Sequence, residues 1–128
     1  MDASGLRRRV VDLDERRRSL THQVLRPWPM VGGYLFQMRR RCGNPRCRCV
    51  KGKLHVSWYL SRREQGRTRL KHIGRIVPEW LAERVKRYRD HQKALAAIRK
   101  IDREISGLLN QLREEKTKTL EKELEERR

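Results

Sequence analysis

Acidic side chains are almost missing from the middle of this chain. Residues 26–75 hold fourteen Lys and Arg against a single acid, Glu64. That deficit excludes a carboxylate pair for acid–base catalysis in the segment. Aromatic residues make up 5% and apolar residues 36% of the 128 positions. So small an apolar content cannot build a large core, and a small core calls for a staple of metal, disulfides or association. Cysteine is confined to Cys42, Cys47 and Cys49, and three thiols cannot all pair within one chain. No apolar run approaches the length of a bilayer span, and the first residues, "MDASGLRRRV", lack the apolar stretch of a secretory signal. The expectation is a cytoplasmic protein with no membrane partner, where clustered cysteines mean metal more often than disulfide. A Gly-rich phosphate loop and a Ser-His-Asp arrangement are also missing, so an enzyme is not expected.

Cationic charge is what remains. The net charge is +18, and its distribution matters more than its total. Residues 1–25 carry six arginines against four acids, and residues 76–128 carry fourteen Lys and Arg against eleven acids. Both ends are therefore nearly balanced, and the field is concentrated between them. Such a field attracts polyanions, nucleic acid first.

The chain divides into four parts. Over residues 4–25, Leu6, Val10, Leu13, Leu20 and Val24 recur at three- and four-residue steps, a helical stripe with Ser4 as N-cap and Arg17 interrupting the seam. "RPWPMVGG" breaks that helix. Residues 33–76 read as a small three-stranded antiparallel sheet. Tyr34, Phe36 and Met38 alternate in the first run, Val56, Trp58 and Leu60 in the second, and Leu70 with His72 in the third. The last two runs join across Gly66 in a hairpin turn. One face is expected to pack, with Trp58 beside Phe36, and the other to show Tyr59, serines and basic residues to solvent. Residues 78–115 form a long coiled-coil-like amphipathic helix opened by Pro78, and residues 116–128 a charged, frayed helical tail. The expected fold class is α+β.

Between the first two strands lies "RRRCGNPRCRCVKGKLH", residues 39–55, a zinc-knuckle-like loop. Thiolates and imidazole are the donor set of structural zinc sites, and Cys42, Cys47, Cys49 and His55 offer four of them. "GNP" turns the chain so that Cys42 can return to the other two thiols. A cluster of redox-responsive thiols with no ligand is the other reading, and His72 is the rival to His55 as fourth ligand.

These residues carry a resemblance. "RCGNPRCRCVKGKLH", the aromatic strand "SWYLS", a Gly-containing turn, a basic strand and "VPEWL" opening a helix resemble an uncharacterised prokaryotic family of the DUF6788 type over about residues 33–110. The resemblance implies a shared fold and the Cys42, Cys47, Cys49 and His55 site, and it associates some members with mobile elements. The chain departs from the family pattern after His55, where Val56 and Ser57 replace Gly and Pro.

The functional expectation is a nucleic-acid-binding protein with a structural zinc, acting on DNA rather than RNA as an accessory factor of a mobile element. Arg39, Arg40, Arg41, Arg46, Arg48, Lys51 and Lys53 would meet phosphates around the metal loop. Arg62, Arg63, Arg67, Arg69 and Lys71 would extend that contact along the hairpin, and Tyr59 would stack on a base. The alternative is a coiled-coil adaptor, with the long helix pairing as a homodimer or with a recombinase or transposase.

Overall fold

The computed structural model describes residues 1–128, the side chain of Thr119 excepted. Its elements are helix α1 (Ala3–Val24), strands β1 (Tyr34–Arg40), β2 (His55–Glu64) and β3 (Arg67–Gly74), and helix α2 (Glu79–Glu126). A short 3-10 turn, Arg48–Lys51, lies between β1 and β2. The sheet is an antiparallel meander in the order β1-β2-β3. This is the α+β architecture expected from the sequence. The chain clusters into two compact units, Met1–Pro27 with His91–Arg128, and Trp28–Asp90.

The first unit is helical. Asp2 rather than Ser4 caps α1: its carboxylate accepts from the Gly5 N–H at 2.7 Å, one of the donors a helix start leaves unpaired. Leu6 and Leu13 from α1 and Ala94 and Ile101 from α2 are its buried residues. Arg17, which breaks the apolar stripe, finds its use here, because its Nε donates to the Asp102 carboxylate. Hydrogen bonding to Asp102, and then its charge, raise the Arg17 pKa. The stretch 116–126, expected as a frayed helical tail, continues α2 to Glu126. Its Glu, Lys and Leu are strong helix formers, and Lys118 pairs with Glu115 one turn away at 3.7 Å.

The second unit holds the sheet and the start of α2. Leu60, Leu81 and Val85 form its core, with Val31, Leu35, Ile73 and Val77 packed around them. The N–H of Val31 donates to the Arg84 carbonyl at 3.1 Å and ties the segment before β1 to α2. The β2–β3 hairpin turns through Gln65 and Gly66 at φ 52° and 77°, the two positive values a type I′ turn requires. Before β1, Gly33 at φ 128° approaches β2 so closely that a Cβ would collide with the Ser61 carbonyl oxygen.

Register decides which residues reach the core, and two expectations fail on it. Phe36 lies opposite Tyr59, whereas Trp58 lies opposite Gln37, so Trp58 does not pack beside Phe36. The β2–β3 ladder slips between Trp58, which faces Gly74, and Tyr59, which faces His72. From the hairpin turn as far as Tyr59 the register is regular, so on β3 the face shared with Leu60 carries Lys71, while Leu70 and His72 share the face of Tyr59 and Phe36.

Candidate metal centre and basic face

The last rung of the β1–β2 ladder pairs Arg40 with His55, which fixes the histidine at the mouth of the hairpin beside the returning chain. From there the loop folds on local backbone chemistry. Asn44 Oδ1 accepts from the Arg46 N–H at 3.0 Å, and the Cys47 N–H donates to the Asn44 carbonyl at 3.0 Å, a side-chain-assisted turn. The 3-10 turn that follows ends at Gly52, whose φ of 103° lets the chain leave in a left-handed conformation.

This path gathers the three thiols. Cys49 has 0% of its surface exposed, and its Sγ accepts from the Cys42 N–H at 3.4 Å. The Cys42 and Cys49 sulfurs stand 3.6 Å apart, well beyond a disulfide bond, and all three cysteines are free. Cys47 Sγ lies 3.1 Å from His55 Nε2. The four ligand atoms fall within 4.8 Å of one another, close enough to hold one metal ion. His72 stands elsewhere, with its ring edge-on to Tyr59 at 5.2 Å.

The thiols differ in acidity. A backbone N–H from Cys49, and then hydrogen bonds from His55 and the other two cysteines, pull the Cys47 thiol down to about 6. Cys49 is pushed up. The Cys42 N–H favours its thiolate, but burial and the neighbouring Cys47 and Cys42 sulfurs outweigh that contact. The loop by itself therefore supports one thiolate readily and resists a second at Cys49. A bound cation reverses that resistance, because it neutralises the sulfurs it gathers.

The twelve basic residues singled out in the sequence are all solvent-exposed. Arg39, Arg41, Arg46, Arg48, Lys51 and Lys53 surround the metal loop, and Arg62, Arg67, Arg69 and Lys71 lie along the hairpin on the face of Leu60. Arg40 and Arg63 lie on the opposite face. The one acid of the region is occupied: Glu64 binds Arg62 at 2.6 Å and Arg69 at 3.5 Å. Tyr59 departs from expectation. It is only 9% exposed, lying between Phe36 and His72 with the Arg40 guanidinium 5.6 Å from its ring centre. Alternation placed it on the right face, but the rings on both neighbouring strands close over it. Sequence reasoning missed the row of rings as a unit, because only the β1–β2 and β2–β3 registers together bring Tyr34, Phe36, Tyr59 and His72 side by side.

These features define a small α+β protein with a Cys3His centre capable of holding a metal, set in a basic surface. The model of a family described as a domain of unknown function (DUF6788) matches residues 10–83. That is more than half of the chain, and the protein belongs to this family. The match takes in most of α1, which the motif-based resemblance left out. No curated protein and no solved structure matches the chain. Among the described residues no helix is long and apolar enough to cross a membrane.

Proposed function

We propose that the protein binds nucleic acid, DNA in the first instance, through phosphate contacts from a basic surface held in shape by a structural zinc. The observation that carries this reading is the uncompensated field of residues 26–75, where every singled-out Arg and Lys is exposed and the single acid is bound between Arg62 and Arg69. Surfaces kept soluble by charge interleave both signs, and this one does not. Phosphates would displace condensed counterions as the cations engage them, so affinity follows salt steeply.

Zinc is the metal the donors favour. Three thiolates and an imidazole are a closed structural set, and zinc–sulfur bonds of about 2.3 Å give tetrahedral edges of about 3.8 Å. The 3.6 Å and 3.1 Å separations already stand near or inside that edge, and the widest, at 4.8 Å, needs only a small contraction. A closed shell leaves no position for substrate, and Glu64 is tied up as a base. Both support a binding role rather than catalysis.

Filter binding of a duplex between 50 and 200 mM salt tests the reading. Engagement of about six phosphates would lower affinity by on the order of 10³-fold across that range. A flat response would remove it. Metal analysis of protein purified without added zinc tests the staple separately, with one zinc per chain expected. A second reading, an adaptor working through α2, draws on one observation. Leu109, Leu120 and Leu124 are 49%, 57% and 56% exposed along its distal part.

A further inference from the structure

An antiparallel sheet that meets water on one side normally alternates apolar inward and polar outward. This sheet does not. The face of Leu60 is packed by Leu81 and Val85 of α2. The opposite face carries Tyr34, Phe36, Met38, Tyr59, Leu70 and His72, where polar residues belong. Tyr34 is 63% and Leu70 51% exposed, and Phe36 and Met38 are half-buried. The rings form a continuous row. Tyr34 is 5.8 Å from Phe36, Phe36 stacks 6.0 Å from Tyr59, and Tyr59 meets His72 at 5.2 Å.

Cations stand at both ends of that row. Arg40 and Arg41 border a pocket of about 260 Å³ beside Ser57 and Tyr59, on the side of Cys42 and His55. Arg63 borders a second of about 650 Å³ beside Tyr34, which Arg62 and Glu64, paired with each other at 2.6 Å, also line. The side chain of Glu64 belongs to the other face. Exposed rings between cations, with the one neighbouring carboxylate, Glu64, already held by Arg62 and Arg69, suit an occupant with flat π-faces and a regular anionic backbone. Aliphatic protein surfaces and lipid tails need neither the rings nor the paired cations. Rings that lie on a sheet can stack only on bases that are themselves unstacked, so a closed duplex does not fit.

We propose that this open sheet face is a stacking platform for single-stranded nucleic acid, with bases on Tyr34, Phe36 and His72 and phosphates on Arg40 and Arg63. Tyr59 is the floor that holds the other rings in place, since it is too enclosed to stack on a base itself. The inference rests on the nucleic-acid reading and narrows it from polyanions in general to strands with exposed bases. Two or three bases is the number such a sheet accommodates.

The test is fluorescence anisotropy with the full chain, using a twelve-nucleotide oligo(dT), the matching oligo(rU) and a twelve-base-pair duplex at one salt concentration. Tyr34→Ala is the central variant, because a side chain so exposed can be removed without disturbing the core. Phe36→Ala is read alongside it, with circular dichroism as the check on folding. Each alanine is expected to weaken single-strand binding by about five- to 150-fold. Duplex affinity and salt slope should stay unchanged, and Tyr34→Phe should bind single strands like the parent. Equal losses on strand and duplex, or single-strand affinity indifferent to Tyr34→Ala, would overturn the platform and leave phosphate binding intact. A parent protein that binds none of the three oligomers would overturn the nucleic-acid reading itself. The dT and rU arms identify which sugar the platform prefers, and tight binding of either supports it.

Discussion

With zinc held at the Cys3His centre, removing it should unfold one half of the protein before the other. The unit Trp28–Asp90 has few buried apolar side chains: Leu60, Leu81, Val85, Tyr59 and Cys49. Each buried aliphatic contributes about 1.5–3 kcal/mol, a small total against the entropy of ordering so many residues. A metal present at 1,000 times its dissociation constant adds about 4 kcal/mol to the folded side by mass action. At about 4–8 °C per kcal/mol for a unit of this size, chelation should lower its melting midpoint by about 16–32 °C. The chain supplies its own reporter. Its three tryptophans, Trp28, Trp58 and Trp80, all lie in this unit, so their fluorescence follows it alone. The circular dichroism of the helices is weighted toward α1 and the distal part of α2. Thermal melts with zinc and with a chelator, read by both signals, should separate: a fluorescence transition that drops or vanishes, and a helical one that moves less. A fluorescence transition unmoved by a chelator, in protein shown to have carried one zinc per chain, would refute the claim that the metal stabilises this unit. His55→Ala should reproduce part of the shift without any chelator.

Other outcomes follow from single residues. In metal-free protein, Cys47 should react with iodoacetamide before the other thiols, with its rate half-maximal near pH 6, because its thiol is lowered from 9.0 to about 6. Its contribution to the folded state is present above the unfolded value and lost as pH falls through about 6, and peptide mapping that finds Cys49 labelled first would contradict this. Leu60→Ala, at a site 4% exposed in the core, should cost about 2–5 kcal/mol in denaturant titrations followed by tryptophan fluorescence. Gly33→Ala should destabilise more than Gly66→Ala, because both need positive φ but only the first meets a backbone oxygen, that of Ser61. Equal midpoints for the two variants would show that β1 can shift away from β2.

Much of the architecture is legible from periodicity. The stripe of Leu6 and Leu13 marks α1, alternation marks three strands, and Gly66 marks the hairpin. The cysteine loop is legible for a different reason, since all four candidate ligands lie within residues 42–55 and no long-range packing is needed to assemble them. What the sequence hid depends on pairing. Period-two patterning says that Tyr34 and Phe36 share a face, but not whether a helix covers it. Covering falls to Leu35 and Leu60, and the unbroken register from the Gln65–Gly66 turn, which pairs Ser61 with Leu70 and Tyr59 with His72, puts those two residues on the uncovered side. Tyr59 was misjudged for the same reason, as its enclosure is made by residues on two other strands. Ala94 is 3% exposed but too small to register in an apolar stripe, and Asp2 outcompetes Ser4 as a cap by a hydrogen bond that the composition alone cannot rank.

The order of the ligands along the chain also sets an order in time. Translation delivers Cys42, Cys47, Cys49 and His55, together with β1, well before Leu81 and Val85 of α2. At about 5–20 residues per second, the ribosome needs about 2–6 seconds to travel from His55 to Val85. During that interval the nascent hairpin has its cation-binding residues but lacks the helix that will cover Leu60. A cell able to supply the ion in those seconds would close the loop first and dock the helix onto a hairpin already in register. Scarcity of the ion would then be felt during synthesis, as chains released with three open thiols and an uncovered strand, rather than as slow loss from finished molecules.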